Sequence, residues 1–139
     1  MCKIYIDGGS RGNPGEGAIG LAVVNSENEE VYRFGKRIGL CTNNFAEYNA
    51  LIEALDYVAT NRLSGKKNVD IYSDSELLVK QMNNIYKVKS GNLIPLFKKA
   101  RNVFDKDSRI RIKHINREKN RTADWIVNRV LDGKPYDLT

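Results

Sequence analysis

The spacing of apolar residues turns from strand-like to helix-like after three strand-like segments, and that change limits what this chain can fold into. Residues 3–7 alternate apolar and polar, residues 18–25 form a near-continuous apolar run, and residues 30–38 alternate again. These patterns predict three strands in succession, the middle one buried. Gly8 to Gly17, with five glycines and Pro14, reads as a loop, and Asn25 to Glu29 as a turn. Ala46, Ala50, Leu51, Ala54, Leu55 and Val58 then share one face of a helix, expected to start near Asn44 and end by Gly65.

Beyond that helix, strand and helix patterns alternate. Residues 69–73 read as a fourth strand, residues 75–84 as a second helix, and residues 93–104 as a third with Pro95 in its first turn. Residues 109–115 read as a fifth strand and residues 122–131 as a final helix. The order βββαβααβα predicts an α/β fold: a five-stranded mixed sheet, three antiparallel strands and then two parallel additions, with helices on both faces. A length of 139 residues fits one domain, 1–139.

Composition narrows the class. A chain with 41% hydrophobic and 29% charged residues has the balance of a folded domain. Its apolar runs fall well short of the roughly 20 residues that cross a bilayer. Cys2 and Cys41 form neither a disulfide framework nor a zinc-ligand spacing. With no signal-peptide layout at the start, a reducing cytoplasm is the expected setting. Charge is uneven: residues 1–64 hold 6 basic and 8 acidic residues, residues 65–139 hold 17 and 9. A basic half suits a polyanionic partner, because each neutralised phosphate releases counterions.

Four acids stand where elements meet. Asp7 is expected to end the first strand, Glu47 to lie in the first turn of the first helix, Asp74 to follow the fourth strand, and Asp124 to lie in the first turn of the last helix. Singly, each has a structural reading: a turn residue, a near capping box with Asn44, an N-cap, a charge complementing the helix dipole. Together, at one sheet edge, their mutual repulsion calls for a cation, and an all-oxygen set suits Mg²⁺ or Mn²⁺. The glycine loop is not a phosphate-binding P-loop, since no Gly-Lys-Ser/Thr follows it.

Asp7-Gly8-Gly9-Ser10-Arg11-Gly12-Asn13-Pro14-Gly15 resembles the first motif of the type 1 ribonuclease H family. Thr42-Asn43-Asn44-Phe45-Ala46-Glu47-Tyr48, Ile71-Tyr72-Ser73-Asp74-Ser75-Glu76-Leu77 and the run from Asn116 to Asp124 resemble its other three, in family order and spacing. The resemblance implies an endoribonuclease that cuts the RNA strand of RNA–DNA hybrids. Asp7, Glu47, Asp74 and Asp124 would be its catalytic and metal-binding set, holding two Mg²⁺ ions for which Mn²⁺ substitutes. Products would carry 5′-phosphate and 3′-hydroxyl ends, and double-stranded RNA is a second candidate substrate. The implied partner is the hybrid, with no membrane and a monomeric chain. A non-catalytic hybrid-binding module on the same fold is the alternative, but it would lack at least one of the four acids.

The resemblance also assigns minor-groove contacts to Gly8, Ser10, Asn13, Asn43, Asn44 and Glu76, and a DNA-phosphate contact to Thr42. Leu40 stands where some members place an arginine. The stretch from Asn84 to Leu93 is too short for the family's basic protrusion, which leaves Lys87, Lys89, Lys98, Lys99 and Arg101 to supply charge. The one histidine, His114, falls in a strand, so Arg117 and Glu118 become candidates to assist near the metals. Trp125 is expected to face the sheet as core.

Overall fold

A computed structural model of the chain describes residues 1–61 and 67–137. Its strands are β1 (Cys2–Gly12), β2 (Gly15–Val24), β3 (Glu30–Cys41), β4 (Val69–Ser73) and β5 (Ile110–His114). Its helices are α1 (Asn43–Thr60), α2 (Glu76–Met82), α3 (Ile94–Lys106) and α4 (Arg121–Leu131), with a 3₁₀ turn at Arg117–Lys119. The sheet order is β3-β2-β1-β4-β5; β1, β2 and β3 pair antiparallel, and β4 and β5 add in parallel. The expected architecture is the observed one. The helix limit expected at Gly65 lies outside the described residues.

The first correction concerns the glycine stretch. Residues 8–12 and 15–17 are not a loop: they continue β1 and β2 as a hairpin, in which Gly8 pairs with Ile19 and Gly9 with Ala18. Asp7 therefore sits inside β1 rather than at its end. The glycines make room for helices. A Cβ on Gly8 would lie 2.3 Å from the carbonyl of Ala46 in α1, and one on Gly20 would lie 2.6 Å from the carbonyl oxygen of Ala123 in α4. Gly8 and Gly20 sit at alternate positions of the pleat, since Gly20 pairs with Asp7. Alternate positions face opposite ways, so α1 and α4 cover opposite faces.

On the α1 face, Ile4, Ile6, Ile19, Leu21, Val69, Ile71, Ile110 and Ile112 make the core with Leu51, Leu55 and Val58. Each fully buried aliphatic side chain contributes about 1.5–3 kcal/mol. On the other face, α4 lays Ala123, Ile126 and Val127 against β1, β2 and β3. Trp125 is not core: it is 39% exposed, with the Arg33 and Arg129 guanidiniums over its ring.

The caps also differ from expectation. Thr42, not Asn44, caps α1, its hydroxyl accepting from the Phe45 N–H at 3.2 Å, so Glu47 falls one residue beyond the first turn. Ser75, not Asp74, caps α2 by accepting from the Leu78 N–H, which leaves the Asp74 carboxylate for other work. Part of the basic surplus is internal. Lys113 and Arg111 flank the buried Asp70 at 3.1 and 3.5 Å, and Arg101 pairs with Asp105 while donating to the Met82 carbonyl. Lys87, Lys89, Lys98 and Lys99 are exposed.

Candidate active site

β4 ends at Ser73, level with Ile6 of β1. The next residue of β1, Asp7, has no strand beside it on that side, and the chain after β4 turns there. This is the position where a sheet of this kind opens a crevice. Asp74 turns into it, α1 brings Glu47 from one face, and the start of α4 brings Asp124 from the other. The four acids line one cavity of about 370 Å³, together with Ser10, Asn44 and Arg117. Carboxylate oxygens of Asp7, Glu47 and Asp74 lie within 4.8 Å of one another, and the Asp124 side chain is within hydrogen-bonding reach of Asp7.

The acids are held in place from behind. The Gly8 N–H donates to Glu47 Oε1 at 2.6 Å, tying α1 to β1. Asn120, 1% exposed, donates one amide hydrogen to the Ile6 carbonyl at 2.8 Å and the other to Asp74 Oδ2 at 3.1 Å. Asn120 thus bridges the gap between β1 and β4 and aims Asp74. It lies inside the last motif, four residues before Asp124; a polar side chain buried beside two strands can be recognised only once those strands are in place.

This concentration of carboxylates is electrostatically unfavourable alone. Burial, then the charges of Asp74 and Asp124, push the Asp7 carboxyl up to about 8. Burial, then Asp7 and Asp74, hold Glu47 well above the ordinary carboxylate range. Oxygen-only donors, buried and mutually repelling, fit a hard divalent cation.

The expected substrate residues divide. Asn43 Oδ1 accepts from the Ser10 N–H at 2.9 Å, and the Asn43 N–H donates to Asn13 Oδ1 at 3.0 Å, so these three lock the β1–β2 hairpin onto α1. Gly8, Ser10, Asn43 and Asn44 line the cavity. Asn13, Thr42, Glu76 and Glu118 do not line it, Asn13 accepting from the Asn43 N–H instead. Thr42 is occupied as a cap, Glu76 is paired with Lys80, and Glu118 faces a separate small cavity beside Tyr5. Arg117 alone of the two assisting candidates reaches the site. His114 ends β5 exposed, and Leu40 is 78% exposed.

This division gives a test. Asn44→Ala removes a side chain with no hydrogen bond among the described residues, so it should raise KM without lowering Tm. Thr42→Ala removes a cap and should cost about 1 kcal/mol of stability, read by denaturant unfolding.

The family described as reverse transcriptase-like matches residues 5–130. The structure of LC11-RNase H1 in complex with an RNA/DNA hybrid superposes with a TM-score of 0.88 at 38% identity, covering 96% of this chain and 98% of that one. The chain belongs to the type 1 ribonuclease H family. Ribonuclease HI of Halobacterium salinarum is 36% identical over 128 residues, 92% of this chain and 63% of that protein. A bifunctional protein of Mycobacterium tuberculosis is 36% identical over 93% of this chain and 35% of its own length. The chain thus spans less than two thirds of these two relatives. Within the ribonuclease H family this chain is of the compact kind: among the described residues no helix lies between α2 and α3, where the basic protrusion of other members would stand.

Proposed function

We propose that this ribonuclease H domain is an endoribonuclease that hydrolyses the RNA strand of RNA–DNA hybrids, with two divalent cations, Mg²⁺ or Mn²⁺, held by Asp7, Glu47, Asp74 and Asp124. The observation that carries the reading is the set of three carboxylates within 4.8 Å of one another, Asp7 and Glu47 buried and Asp74 half-buried, opening onto a surface cavity. The hybrid bound by LC11-RNase H1 supports the substrate class. All four acids are present, which disfavours a non-catalytic binding module.

Cations held by Asp7, Glu47, Asp74 and Asp124 would supply positive charge to activate a water and stabilise the leaving 3′ oxygen, a chemistry that would give 5′-phosphate and 3′-hydroxyl ends. The protein's own groups prepare the site. The Gly8 N–H and Asn120 fix the Glu47 and Asp74 carboxylates before substrate arrives, so little reorganisation accompanies reaction. Arg117 brings a positive charge to the wall beside them. Asn44 and the Ser10–Asn43 pair present donors and acceptors at the rim, suited to 2′-hydroxyls, which distinguish RNA from DNA.

The test is cleavage of an end-labelled hybrid beside matched duplex RNA and duplex DNA, with Mg²⁺ and with EDTA. The expected result is cutting of the hybrid's RNA strand, none of duplex DNA, and none in EDTA. Full activity in EDTA would sink the metal assignment, and equal cutting of duplex DNA would sink the 2′-hydroxyl readout.

A further inference from the structure

Trp125 is the one tryptophan of the chain, and it stands exposed beside a catalytic acid. Arg121, Trp125 and Arg129 follow one another at i, i+4 spacing and form a stripe along α4, each about 6 Å further along its axis. The side chain of Arg121 makes no ion pair or hydrogen bond among the described residues. Arg129 donates through Nε to the Pro135 carbonyl at 2.7 Å, and its guanidinium lies 5.1 Å from the indole centroid. Arg33 approaches the ring at 5.6 Å and is held by Glu30 and the Tyr136 carbonyl. The indole is therefore held by two guanidiniums while 39% of it stays exposed.

A cavity of about 470 Å³ lies beside it, walled by Arg33, Arg121, Thr122, Trp125, Asp124 and Asn128. Asp124 and Asn128 also line the active-site cavity, so the two spaces adjoin. We propose that this stripe binds an unpaired nucleotide flanking the hybrid, its base against Trp125 and its phosphate on Arg121. An aromatic face between arginines suits a base and phosphate of a single strand. A base inside a duplex is already stacked and has no face to offer, so the ligand is the strand beyond the paired region. The inference rests on the hybrid reading above.

The experiment uses the intact protein with Ca²⁺ in place of Mg²⁺, to hold the hybrid uncut. A blunt RNA–DNA hybrid is compared with the same hybrid carrying a short unpaired extension at either end, reading affinity by anisotropy and Trp125 emission directly. The extension on one end should tighten binding about tenfold, the scale of one base stacked on an aromatic ring, and should quench emission. Arg121→Ala and Trp125→Leu should erase that gain while leaving blunt-hybrid affinity and cleavage unchanged. Equal affinity for both hybrids, or a gain that survives in both variants, overturns the stripe and leaves the hybrid reading intact. If neither hybrid binds, both readings fall.

Discussion

Asp7→Asn should abolish hybrid cleavage and, with metal removed, raise the melting temperature by about 5 °C. The two effects share one cause. Asp7 is 7% exposed and faces three other acids across one cavity, so its charge is costly unless a cation is bound. In the folded, metal-free protein its carboxyl holds a proton up to about 8, against an ordinary value of 3.8. The unfolded chain releases that proton from about pH 4 upward. The folded state binds more protons across that window, so metal-free stability falls as pH rises from about 4 to about 8.

Glu47 adds to the same slope, and part of its upward shift comes from Asp7 itself. The Asn variant removes the first contribution and relieves the second. Its advantage over the wild type should therefore widen between pH 4 and pH 8 and vanish when Mg²⁺ stabilises only the wild type. Thermal melts in EDTA at several pH values, repeated with Mg²⁺, check this. A variant that melts lower than wild type at every pH without metal would contradict the electrostatic account.

Gly8→Ala should be severely damaging for a single added methyl. Its Cβ would lie 2.3 Å from both the carbonyl carbon and oxygen of Ala46, and 2.6 Å from the Glu47 nitrogen. These are helix backbone atoms with no rotamer to adopt, so α1 must retreat as a body. Retreat breaks the 2.6 Å Gly8 N–H···Glu47 Oε1 bond and withdraws one of the clustered acids. The expected cost is about 3 kcal/mol, a large share of a typical domain stability, with cleavage lost even where the variant remains folded. Gly91→Ala is the control, since nothing lies within 4 Å of its Cβ. Denaturant midpoints and activity well below the variant's transition separate the two losses. A Gly8→Ala protein with wild-type midpoint and activity would show that the close approach of β1 and α1 is not required.

The sequence by itself determined the layer plan and the acids, because both depend on local regularities. A period near two in residues 3–7 and 30–38, a period near 3.6 in residues 46–58, and an acid at each strand–helix junction are visible within a few residues of chain. Tertiary structure decided what depends on partners far away in sequence. The glycines between Gly8 and Gly17 read as a loop because glycine has little local preference. They are strand because β1 and β2 pair across them, and Gly8 among them lets α1, more than 30 residues on, approach β1 closely. Thr42 and Ser75 became the caps because a cap is defined by the backbone direction entering each helix, which left Asp74 free for the cavity. Trp125 faces outward because α4 docks through Ala123, Ile126 and Val127 onto a patch of small residues that includes Gly20 and Gly35, and that docking fixed which helix stripe meets solvent. Asn120 acquired its role only when β1 and β4 parted around Asp7, since a buried amide is defined by the groups it bridges.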